Sequence, residues 1–168
     1  MSQRAPEETN VLLLRAAALW LLVALLLAFC LVGLNFGVPL LKAIFAGKQS
    51  RVVQAHIDYL LMSALIFGFY AARVPLHWSV RWAMAVGAFT NPSLFLLQAI
   101  FPLLDSPTPA DGLLPSFFRI YLMVSLPIAT YGFGGAAISI LRSTFRRRDN
   151  ASAHELLEKQ QTILTKTI

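Results

Sequence analysis

Long apolar runs, each closed by polar, glycine or proline residues, set the pattern of this chain. The first runs from Val11 to Leu34 and breaks at Asn35-Phe36-Gly37-Val38-Pro39. The second covers about Val53 to Ala72 and closes at Arg73-Val74-Pro75-Leu76-His77. A third extends from about Ser79 to Phe101, and a fourth from about Ser116 to Leu141. About 20 apolar residues in a helix cross a hydrocarbon core of about 30 Å, so each run predicts a membrane span. The turn between the second and third runs is short, which makes those helices antiparallel neighbours. The expected fold is all-α: a polytopic membrane protein with four transmembrane helices in an antiparallel bundle.

Polar stretches divide the rest. Residues 1–10 form a polar N-terminal tail, residues 11–141 the transmembrane domain, and residues 142–168 a basic tail. Leu40 to Ala46 is expected to lie in the membrane interface. Asn91-Pro92 and Pro127 fall inside apolar runs, where proline removes a hydrogen bond and kinks the helix. Gly132, Gly134, Gly135, Ala136 and Ala137 give the fourth helix a small-residue surface, read here as one for close helix approach rather than a ligand niche. In the tail, Ser152 followed by Glu155 fits a capping box. Leu156, Leu157, Gln160, Ile163 and Leu164 then recur at helical spacing and predict a short amphipathic helix.

Composition agrees with the pattern. Of 168 residues, 57% are hydrophobic and 13% charged, against about 25% charged in a soluble domain. The net charge of +6 owes much to the arginine run Arg146-Arg147-Arg148. Membrane topology explains that run, and no nucleic-acid partner is read from it. The single cysteine, Cys30, excludes an intrachain disulfide and reads as a packing residue. The polar start lacks the positive region of a secretory signal, so the first apolar run is expected to be retained. Lysine and arginine in the tail and the second loop, set against Asp105 and Asp111 in the third, place both termini in the cytoplasm. Lys42, Lys48 and Arg51 in the first loop argue the other way. The expected location is a bacterial inner (cytoplasmic) membrane.

Candidate chemistry comes from polar residues at membrane depth, where ionisable groups are expensive and mark function by default. His56, Tyr59, Ser63, Phe67 and Tyr70 recur at helical spacing and share one face of the second helix. Asp58 lies about 200° round from His56 and is expected at the helix start, favoured by the helix dipole. Asn91, Phe95 and Gln98 share a face of the third helix, and the two faces are expected to enclose one pocket. His56 is the one histidine at depth, since His77 falls in a loop and His154 in the tail. A neutral imidazole ligates metals and haem. From the residues alone the plainer reading, an interfacial histidine hydrogen-bonded to a loop, ranks ahead. A haem held by two histidines is excluded within one chain. A haem here has one histidine ligand and an open or weakly held sixth position, with Met62 either the second ligand or a packing residue.

Ala55-His56 opening the second helix, Asn91-x-x-x-Phe95 in the third, and the overall length resemble the styrene oxide isomerase family, to which the hydroxylaminobenzene mutases are related. The resemblance covers the second to fourth helices. It implies a homotrimer with haem b held between subunits and His56 on the ferric iron. Asn91 matches a helix-three asparagine of the family, and Tyr59, Met62 and Phe95 fall beside the cofactor. The family's iron acts as a Lewis acid on an epoxide and drives its rearrangement to an aldehyde. Two positions depart from the pattern. Met62 stands where the isomerases carry an asparagine, and Phe95 where they carry a tyrosine.

The expected function is therefore that of a haem-b-binding integral membrane protein with its reaction unassigned. One alternative is an isomerase or mutase using ferric haem on an apolar epoxide or hydroxylamine. Another is a structural or partner-binding membrane protein without cofactor. The expected partners are membrane lipids, further copies of the chain and a small apolar ligand.

Overall fold

A computed structural model describes residues 11–106 and 112–166, with side chains for 11–106 and 112–145. The N-terminal tail, Asp111 and the side chains of the basic tail, His154 among them, lie outside the described residues.

Four helices are long and apolar enough to cross a membrane, as the runs predict. They are α1 (Val11–Asn35), α3 (Gln49–Ala71), α4 (Trp78–Ile100) and α5 (Leu113–Lys166). A short α2 (Pro39–Ile44) follows α1, and a 3-10 turn (Pro102–Asp105) follows α4. The protein is an all-α polytopic bundle. Chemistry at the ends sets these bounds. Pro39 occupies the first turn of α2, where its missing N–H costs nothing. His77 caps α4 by accepting from the Ser79 amide. Pro92 and Pro127 sit inside α4 and α5 without ending them, which a membrane helix tolerates when neighbours satisfy the freed carbonyls.

Two bounds differ from expectation. α3 begins at Gln49 rather than near Val53, because the polar residues Gln49, Ser50 and Arg51 carry no breaker and continue the helix into the interface. The separate tail helix is not formed. α5 runs as one helix of 54 residues through Ser152 to Lys166, with no glycine or proline after Gly135 to stop it. At 1.5 Å per residue that is roughly 80 Å, so its C-terminal part extends well past the apolar span.

Packing places α4 at the centre. α1 packs on α3, α3 on α4, and α4 on α5, while α1 also touches α4 and α5 rests chiefly on α4. One buried cluster joins Leu13 and Ala17 of α1 to Ile66, Val80, Met84 and Ala136. A second, towards the opposite face, joins Ala24, Leu27 and Leu34 to Val52, Ala55, Tyr59 and Ala99. The start of α1 and the outgoing end of the α5 span thus lie on one face, and α2 and the 3-10 turn on the other.

The α4–α5 seam depends on small residues. A side chain at Gly132 would place its Cβ 2.5 Å from the Met84 amide nitrogen, and one at Gly87 2.6 Å from Ala129 Cα. The small-residue surface of the fourth helix is a packing seam. Leu22, Phe29, Phe117 and Met123 are exposed on the outer faces, where lipid tails would cover them.

Candidate functional site

His56 stands in α3 beside the fully buried Ala55 and leans on α1. Its Nδ1 lies 2.8 Å from the carbonyl oxygen of Ala24. A carbonyl only accepts, so Nδ1 carries the proton and donates, and Nε2 of the neutral ring is left with its lone pair. Nε2 makes no hydrogen bond among the described residues. This matches the usual arrangement of a metal-ligating histidine, whose other nitrogen donates to a carbonyl or carboxylate that fixes ring and tautomer. The ring is half-buried.

The other sequence candidates have packing and hydrogen-bond partners of their own. Tyr59 is fully buried, and its hydroxyl donates to the Phe89 carbonyl at 3.3 Å. It belongs to an aromatic group with Trp20 and Phe89, whose rings stack 4.8 Å apart. Met62 packs against the cluster of Leu13, Ile66 and Met84. Phe95 packs against the cluster around Ala24 and Tyr59, with the Arg51 guanidinium 6.0 Å from its ring centre.

Asn91 turns to Asp58, its Nδ2 donating to Oδ2 at 2.8 Å. This corrects the placing of Asp58. With α3 starting at Gln49, the carboxylate lies nearly halfway along the helix, half-buried and facing α4. The two expected faces therefore do not enclose one pocket. His56 looks into the α1–α3 seam, and Asn91 meets α3 on the side where Asp58 projects.

Sequence reasoning also missed Trp20, whose Nε1 donates to the Ala85 carbonyl at 3.2 Å and ties α1 to α4. An indole in a long apolar run reads as grease, yet its N–H needs an acceptor in lipid. Similar bonds tie α4 to α5. Ser93 meets the Tyr121 hydroxyl at 2.6 Å, and Ser125 donates to Thr90 at 2.9 Å.

A charged group lies at the face that carries the 3-10 turn. Arg51 Nε donates to Asp105 Oδ1 at 2.8 Å, and Lys48 Nζ lies 2.8 Å from Oδ2. Arg51 and then Lys48 hold the Asp105 carboxyl below the usual carboxylate range. The Gly47 amide donates to the Ala99 carbonyl at 2.8 Å. A side chain there would place its Cβ 2.5 Å from the Gln98 carbonyl oxygen. This glycine lets the connector lie against the end of α4 and brings Lys48 and Arg51 to Asp105.

Comparison with family models, curated proteins and solved structures finds no match. No group of three or more His, Cys, Asp or Glu side chains that could hold a bare metal ion occurs among the described residues. A haem makes no such demand, because the porphyrin supplies most of the iron's ligands and the protein only an axial one.

Proposed function

We propose that this chain is an integral membrane protein that binds haem b through His56. The observation that carries the reading is the 2.8 Å bond from Nδ1 to the Ala24 carbonyl. It orients the ring and leaves Nε2 as the ligating atom at membrane depth. When bound, haem b would supply a Lewis-acidic iron. His56 Nε2 would hold the iron, with the ring's tautomer fixed by the Ala24 carbonyl.

Assembly as a homotrimer with the cofactor between subunits, which the sequence resemblance implies, goes with this reading. His56 lies half-buried on a helix seam, where a second copy can close over it. Tyr59, Met62, Asn91 and Phe95, which the resemblance places beside the cofactor, have the packing and hydrogen-bond partners described above. The proposal does not extend to styrene oxide isomerisation. Met62 offers a weakly accepting thioether and Phe95 no hydrogen bond, and both pack among apolar side chains.

The test is the absorption spectrum of protein purified with adequate haem supply. A Soret band is expected, weakened or abolished in His56→Ala and intact in His77→Ala and His154→Ala. A His56→Ala protein with an undiminished band contradicts the assignment. The orientation proposed with it puts both termini in the cytoplasm, from the basic residues that follow the α5 span. Reporter fusions at Asn150 and Thr108 are expected to report inside and outside respectively, and a cytoplasmic signal at Thr108 overturns that orientation.

A further inference from the structure

The α3–α4 seam carries a file of polar side chains from one membrane face to its middle. On α3, Arg51, Gln54 and Asp58 are spaced by three and four residues and share one helix face. Asn91, Phe95 and Gln98 of α4 do the same in the opposite direction. The two rows meet side by side. Asn91 bonds Asp58 at 2.8 Å, and Arg51 lies over Phe95. Gln98 Nε2 donates to the Leu104 carbonyl at 3.5 Å, and Arg51 Nη1 to Gln54 Oε1 at 2.7 Å. From Arg51 to Asp58 the file descends about 10 Å along the helix axis.

Three polar atoms in this file have no hydrogen-bond partner among the described residues. They are Gln54 Nε2, Asp58 Oδ1 and the buried Gln98 Oε1. Gln54 and Gln98 lie near the face that carries Asp105, and Asp58 lies deepest, where lipid offers no partner. A polar group left bare in hydrocarbon is costly, and water bridging such groups is favourable where the site is polar and roomy enough. Beside the Arg51 end of the file, where Arg51 meets Asp105, the surface carries a cleft of about 290 Å³ lined by Ala46, Gly47, Lys48, Pro102 and Asp105. That is room for several waters beside the Asp105 ion pairs.

We propose that the α3–α4 seam is a hydrated vestibule, open to the face that carries Asp105 and ending at the Asp58–Asn91 pair in mid-membrane. Water is its ligand, bridging Gln54, Gln98 and Asp58. The vestibule does not involve His56, whose ring lies on the α1 side of α3.

Thiol accessibility tests it. In a Cys30→Ser background, single cysteines are placed at Gln54, Asp58 and Gln98, and at Val53 and Ile57, which are exposed on α3 at nearly the same depths as Gln54 and Asp58. Each variant, in its membrane, is treated from either side with a charged, membrane-impermeant methanethiosulfonate. Reaction needs a thiolate and therefore water, so Gln54→Cys, Asp58→Cys and Gln98→Cys are expected to react at least about tenfold faster than Val53→Cys and Ile57→Cys. Labelling is expected from the Asp105 side. Should Asp58→Cys fail to fold, the Gln54/Val53 pair and Gln98→Cys carry the test. Rates at Gln54→Cys and Gln98→Cys no higher than at Val53→Cys and Ile57→Cys overturn the vestibule, as does labelling from the opposite side.

Discussion

His56 and Asp58 are separated by one residue on α3 and face different seams. The histidine is satisfied by a backbone carbonyl of α1, and the aspartate by a side-chain amide of α4. The difference matters for chemistry. A backbone carbonyl accepts the N–H of one ring nitrogen and leaves the lone pair of the second free. An amide donor binds the carboxylate itself and makes the pair a fastener between helices. Depth in the membrane is nearly the same for both residues, so azimuth decides which helix each one meets.

The largest effect is expected on the α3–α4 side. Asn91→Ala leaves a carboxylate at membrane depth without its donor and should destabilise the bundle by about 1–3 kcal/mol, towards the upper end if the group stays charged. Asp58→Asn keeps a bonding partner and should cost less. A double-mutant cycle of Asp58→Ala and Asn91→Ala, read by unfolding in mixed micelles, should give a coupling of about 0.6–1.7 kcal/mol. Strict additivity of the two losses would break the comparison.

A smaller loss is expected across the other seam. In haem-free protein, His56→Ala removes one hydrogen bond to a carbonyl that already serves the α1 ladder, a loss of about 0.5–1.5 kcal/mol. A greater loss than from Asn91→Ala would mean that His56 is the structural fastener of the pair.

The smallest effect lies at the membrane face. Asp105 has a folded pKa below its unfolded value of about 3.9. Its ion pairs therefore contribute stability above about pH 4 that is lost as pH falls through the lower folded value. The difference in melting temperature between the parent and Asp105→Asn should stay constant from about pH 7 to pH 5 and shrink below about pH 4. A difference that grows on acidification would contradict the pairing with Arg51 and Lys48.

The spans were legible in the sequence because an apolar run long enough to cross a bilayer has few other readings. α1 ends within a residue of expectation, at the Asn35-Phe36-Gly37 break. The start of α3 was less legible, since Gln49, Ser50 and Arg51 read as loop by polarity although nothing in them breaks a helix. The continuation of α5 was missed for the same reason. A fall in hydropathy marks the edge of the membrane, not the end of a helix. Pairings were harder still. That His56 and Asn91 share a depth follows from counting residues. That they face different seams depends on how α3 is rotated against α1 and α4, which the whole bundle decides. Trp20, Ser93 and Asp105 found partners 65, 28 and 54 residues away, separations that no local pattern encodes.

Haem content per protomer tests the central claim most directly, measured in parent protein and in His56→Gly with and without added imidazole. The account predicts stoichiometric haem in the parent, loss in His56→Gly, and recovery when imidazole supplies a ligating nitrogen in place of the His56 ring. Parent protein that takes up no haem under saturating supply, or His56→Gly that retains it without imidazole, would contradict it.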